Sequence, residues 1–312
     1  MRQAPISAAV VALLAGVPGI AAAQAWLPPP GVGSVTVSGQ DVHHTGHRLT
    51  DGTYIDNGRS RSGALLFDAE YVLTRRVALG VSLPLVWARY TDASSPPPFL
   101  PFLPRDQCRC WHTAWQDVGM TARINLVDTL DHRAAVTSTF TVVVPSHDYA
   151  YQGEAVPGRR LKEIRAGLDG SYRVDAWSPN LSVSGRYTYA MVERVIGVST
   201  NRSNAALGVD YRLGADWSFG VSASLQRTHG GLRVGSLPPS DLPAPGELTT
   251  PERFAEHDRL LRDNWTHVGV QTSRRLGQAD VFAAFTHFAA GTDTHAGHAL
   301  AAGVTVPFRL RR

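Results

Sequence analysis

The chain has 312 residues, 43% of them hydrophobic, and a formal net charge of +4 at neutral pH. Charge this close to balance, with no concentrated basic face, excludes a nucleic-acid binder. Beyond the N-terminal segment no apolar run reaches the ~20 residues of a membrane helix, so the exported chain is either soluble or a closed barrel.

Met1–Ala25 carries Arg2 as its only charge, an apolar run from Ile6 to Ile20, and the small-x-small ending Ala23-Gln24-Ala25. This pattern predicts a secretory signal peptide over residues 1–25, cleaved after Ala25. An N-terminal anchor is the competing reading, and the apolar run is too short for it. Loss of Arg2 takes the formal charge from +4 to +3 and leaves Trp26 first. Residues 26–32, WLPPPGV, form a stiff proline-rich lead-in, and residues 33–312 read as one unit without a linker.

Strand signals then recur along the chain. Ser34–His44 sets Val35 and Val37 against Ser34, Thr36, Ser38 and Gln40. Gly63–Leu73 sets Leu65, Phe67, Tyr71 and Leu73 against Ala64, Asp68 and Glu70. Val77–Tyr90, VALGVSLPLVWARY, separates most cleanly: Val77, Leu79, Val81, Leu83, Leu85 and Trp87 oppose Ala78, Gly80, Ser82, Pro84 and Ala88. A period of two with one apolar face and one small face predicts a transmembrane strand, apolar towards lipid and small towards a lumen. The same alternation recurs from Val118, Ala134, Ile164, Leu181, Leu207 and Trp217, and more weakly from Trp265. Phe282–Phe288 also fits a helix, and its place in the count makes it a strand. His295–Phe308 is the last.

The connections alternate in length. Arg48–Arg59, Thr91–Gln116, Ser146–Arg160, Glu193–Arg202 and Gly230–Arg262 are long; Thr74–Arg76, Val127–His132, Asp175–Pro179, Gly214–Asp216 and Leu276–Asp280 are short. Only Gly291–Thr294 departs from this parity. Short periplasmic turns and longer outer loops are the habit of outer-membrane barrels. The predicted fold is therefore all-β, an antiparallel transmembrane barrel of about 12 strands with both termini in the periplasm. It belongs in the outer membrane of a Gram-negative bacterium.

The runs AEYVLTRRVALGVSLPLVWARY, WQDVGMTARINL, VVVPSHDY and GHALAAGVTVPF together resemble an outer-membrane channel family labelled for the meta-pathway of phenol degradation. The resemblance spans most of the mature chain and rests on diffuse strand patterns. This chain continues through Arg309–Arg312, where many barrels stop at the terminal aromatic. The resemblance implies a transporter-like passive pore for small, aromatic solutes, and the narrow lumen expected of about twelve strands with inward charges suits weakly polar ones. The barrel reading carries outer-membrane lipid and the barrel assembly machinery as expected partners, and no cofactor is expected.

Register places Asp68, Glu70, Arg123, Glu163, Arg165, Asp169, Arg173, Arg186, Asp210 and Arg212 on the lumen face. The opposite register would put arginine in lipid at ~2–4 kcal/mol each near the midplane. These charges read either as a selectivity lining or as paired bracing of a small barrel. A sealed structural or surface-interaction barrel is the alternative function.

Cys108, Cys110 and His112 (CRCWH), with His43 and His47, offer thiolate and imidazole to a borderline metal. Their spacings match no closed zinc pattern, and a disulfide suits two cysteines in an oxidising compartment. Catalysis has little support. No histidine has serine two residues on, as barrel phospholipases do, and His257 beside Glu256 and Asp258 reads as a solvated turn.

Overall fold

The computed structural model describes residues 25–56, 59–91, 110–151, 156–174, 180–233 and 256–310. Its strands are β1 (Val32–Arg48), β2 (Tyr54–Ile55), β3 (Ser60–Val72), β4 (Val77–Tyr90), β5 (His112–Trp115), β6 (Val118–Asp128), β7 (Ala134–Val144), β8 (Glu163–Arg173), β9 (Leu181–Val192), β10 (Thr200–Leu213), β11 (Trp217–Gly230), β12 (Asn264–Leu276), β13 (Ala279–Thr292) and β14 (Thr294–Arg309). One helical turn, α1 (His257–Leu260), precedes β12. Strands β2 and β5 are short additions paired with β1 and β4 at the loop end. The remaining twelve pair antiparallel in chain order, and β14 pairs with β1 from Arg309↔Val32 to Thr294↔Arg48. That last pairing closes the ring and leaves no free sheet edge.

The two-residue period sorts the side chains. On β4, Leu79 and Val81 are 47% and 45% exposed on the outer wall, whereas Ala78, Val86 and Ala88 are fully buried towards the lumen. Ile124, Leu168, Leu207, Val221, Val270 and Leu300 continue the exposed apolar belt around the ring. Only lipid makes such a belt stable, so the barrel is an outer-membrane protein. Aromatic rings gather at the turn end, where Tyr71 stacks on Phe308 at 6.3 Å and Trp217 on Phe219 at 5.9 Å. At the loop end the Trp87 indole lies across Gly63, where an added Cβ would sit 2.4 Å from it.

The helix-like spacing of Phe282, Phe285 and Phe288 resolves as strand β13. Phe282 and Phe288 are buried inside, and Phe285 faces outward. Several strands run further towards the loop end than alternation suggested. β1 reaches Arg48 rather than His44, and β10 begins at Thr200, not after Arg202. Near the rim both faces meet water, so the apolar period fades before the backbone ladder ends. The last outer connection is Asp293 alone, held at φ 52°. The short turns use Gly214 and Gly277 at φ 66° and 64°, a region that glycine enters without steric cost.

This topology puts the long connections outside. With Cys108 and Cys110 replaced, cysteine at exposed Ile196 is expected to react with a membrane-impermeant maleimide on intact cells. Cysteine at fully exposed Leu130 should react only after permeabilisation. The reverse pattern would invert the barrel.

Candidate functional site

The lumen wall is built from the inward positions of the twelve ring strands, so its chemistry follows from strand phase. Asp68 lies on β3 beside Ser82, which donates to its carboxylate. Arg123 on β6 reaches Glu70 at 2.9 Å. Asp169 on β8, fully buried, accepts from Arg186 Nε at 2.5 Å. Arg165 meets Glu163 at 2.7 Å, and Glu163 also pairs with Arg202. Asp210 accepts from Gln271 at 2.6 Å. Arg173 lies 4.6 Å over the Trp26 ring, and Arg212 stands exposed at the turn end of β10.

Between these pairs run hydroxyl contacts, Thr36 to Thr305 at 2.8 Å and Thr121 to Thr141 at 2.9 Å. A cavity of about 410 Å³ occupies the lumen, lined among others by Glu70, Arg123, Arg186, Arg202, Trp265 and Phe282.

The outer end narrows. Arg159 and Arg259, a hundred residues apart, each donate to the other's backbone carbonyl, the nearest contacts being 2.7 and 2.9 Å. Leu232 bridges to Leu261, and Leu261 packs on Leu49. Asp263 accepts from Thr294 at 2.5 Å and from Gln226 at 2.9 Å. Burial pushes the Asp263 carboxyl above its ordinary range. Burial, reinforced by Arg202, lowers the Arg159 guanidinium to about 10, so it stays charged at neutral pH. Glu163 and Asp263 oppose that lowering.

The other end is crossed by the proline-rich lead-in. Gly31 N donates to Val72 O at 2.9 Å beside β1. From there the chain runs to β7 and β8, near the far side of the ring, where Thr137 and Ser171 hold Ala25.

Arg202, Arg159, Arg259 and Asp263 were not among the residues expected here. Arg202 had a usable signal: it is in phase with Asp210 and Arg212, eight and ten residues on. The three loop residues had none, because their contacts join distant polar segments.

The candidate metal donors are dispersed. Cys110 is disulfide-bonded, and Cys108 lies outside the described residues. His112 is exposed on β5. His43 faces outward, 3.1 Å from Asp41. His47 faces inward, with Nε2 2.7 Å from His295 Nε2. A register shift between His44 and Gly46 puts His43 and His47 on opposite faces. Among the described residues no group of three or more such side chains is placed to hold a metal ion.

No protein-family model and no curated protein matches the chain. Among solved structures it is similar to an outer membrane channel from Pseudomonas putida F1, with TM-score 0.69 and 11% identity, covering 94% of this chain and 99% of that one. The NanC porin gives TM-score 0.49 at 10% identity, covering 87% and 98%. The CymD monoaromatic hydrocarbon channel gives 0.44 at 13%, covering 91% of each. At 11% identity the likeness to the Pseudomonas channel is one of fold, a closed outer-membrane barrel.

Proposed function

We propose that the chain is a passive outer-membrane channel for small, weakly polar or aromatic solutes. The observation that carries this reading is the lumen cavity of about 410 Å³, with charged pairs on its wall and Trp265 and Phe282 among its lining. Pockets of roughly 300–1,000 Å³ accept small organic molecules, and two buried rings beside arginines suit an aromatic solute better than a large hydrated ion. The resemblance of its strand runs to the phenol meta-pathway channels points the same way. Signal cleavage after Ala25 and insertion by the barrel assembly machinery belong to the same reading.

A specific observation also favours a sealed barrel. Glu70, Glu163 and Asp169 each pair with an arginine on another strand, and loop segments meet at the outer end. Conductance in a planar bilayer separates the two. The channel reading expects small conductance that rises severalfold when Trp26–Gly31 is deleted. It also expects a shift in reversal potential when Glu70→Gln or Arg186→Gln is made. Unchanged conductance and selectivity in all three would leave the sealed barrel.

A further inference from the structure

We propose that the lumen wall holds a socket for the chain's own processed N-terminus, in which Asp169, Thr137 and Ser171 bind the Trp26 α-ammonium. The proposal rests on cleavage after Ala25. Signal peptidase consumes one water there: the Ala25–Trp26 C–N bond breaks, Ala25 leaves as a carboxylate, and the Trp26 nitrogen becomes an ammonium.

The residues around that bond are arranged for the product. Thr137 Oγ1 donates to the Ala25 carbonyl at 2.5 Å, and the Ala25 amide donates to Ser171 Oγ at 2.9 Å. The Trp26 nitrogen is bonded to that same carbonyl carbon, so it lies one bond from the group Thr137 holds. Thr137 stands directly opposite Asp169 in the β7–β8 register, and Ser171 is the next inward position on β8. Asp169 is fully buried. Its Oδ1 is taken by Arg186, while Oδ2 has no hydrogen-bond partner among the described residues.

Departure of Ala25 releases both hydroxyls. An α-ammonium brings three N–H donors, and Thr137 Oγ1, Ser171 Oγ and Asp169 Oδ2 supply three acceptors. The charges fit as well. Arg186 already pairs with Asp169, whose remaining oxygen is the anionic acceptor offered to the new cation. Arg173 over the Trp26 ring fixes the same residue from its side chain. Processing therefore latches the lead-in across the turn-end mouth with a group that the precursor lacks.

The sequence makes the test clean, because Lys162 is the lone lysine. A chain beginning at Trp26 has two primary amines, the α-amine and exposed Lys162. The purified mature protein would be acylated near neutral pH with a succinimidyl ester, and each site quantified by peptide mass spectrometry. In the folded protein the α-amine should react roughly tenfold more slowly than in the urea-unfolded chain, while Lys162 reacts at similar rates in both. Asp169→Asn should restore most of the α-amine rate. The wild-type comparison stands even where that variant does not assemble. Intact mass separates the two ways of failing. A chain that begins at Trp26 with an unprotected α-amine overturns the socket alone. A chain that begins elsewhere overturns the socket and the cleavage reading together.

Discussion

Leu83→Arg is expected to abolish or severely weaken barrel assembly, whereas Ser82→Arg is expected to assemble almost normally. The two positions are adjacent on β4 and differ only in the face they present. Leu83 pairs with outward-facing Phe67 near the middle of the strand, on the wall that carries exposed Leu79 and Val81. An arginine there meets hydrocarbon, and the penalty is about 2–4 kcal/mol near the bilayer midplane. That is a large share of the stability of a typical domain. Ser82 faces the lumen opposite Asp68. An arginine at that position gains a carboxylate partner and stays in a polar interior. The check is the unheated gel shift of the folded barrel, followed by urea titration in lipid vesicles. Wild type and Ser82→Arg should migrate faster unheated than boiled, and Leu83→Arg should lose the fast form. Equal behaviour of the two variants would mean that β4 is in the wrong register or is not in lipid.

The same alternation explains why the ring was legible from residue order. Each membrane-level strand must show apolar groups to lipid and polar or small groups to the lumen, and no tertiary context relaxes that demand. Val77–Tyr90 obeys it, and so the strand ends as well as its faces are readable. Legibility falls where the demand does. At the loop end β10 continues through Arg202, but both of its faces are polar there. Histidine placement shows the other weakness of a periodic reading. Simple alternation puts His43 and His47 on one face, and the register shift after His44 turns His47 inward to His295. A single extra residue changes the parity of everything beyond it.

The outer closure was not legible at all. Arg159 and Arg259 lie in loop segments without period, and their pairing through backbone carbonyls leaves no trace in either segment alone. The charged wall was half legible. Phase named Glu70, Arg123, Asp169 and Arg186 as inward, but phase does not say which reaches which. Glu70 on β3 reaches Arg123 on β6 past the whole of β4, two strand boundaries away in the ring and three in the chain. The pairs emerge only once the strand registers are set, as where Asp169 stands opposite Arg186.

Glu163→Gln is expected to cost about 3–5 kcal/mol, the range for breaking a buried ion pair by removing one partner. Glu163 is the anion on which the arginines at the outer end converge. It is paired with Arg202 and Arg165, and the charge of Arg159 acts on it as well. The side chains of Glu163 and Arg202 are only 5% and 6% exposed, so water does little to replace the lost carboxylate. Glutamine keeps the shape and one acceptor but strands the guanidinium charges beside one another. Removing Arg202 at the same time should therefore recover part of the loss. Unfolding of Glu163→Gln, Arg202→Met and the double variant in vesicles gives the coupling directly. A double variant more stable than the sum of the single losses is the expected result. Strict additivity would show that the outer-end charges do not depend on one another. The constriction would then be held by its backbone contacts and by Leu49 and Leu261 rather than by Glu163.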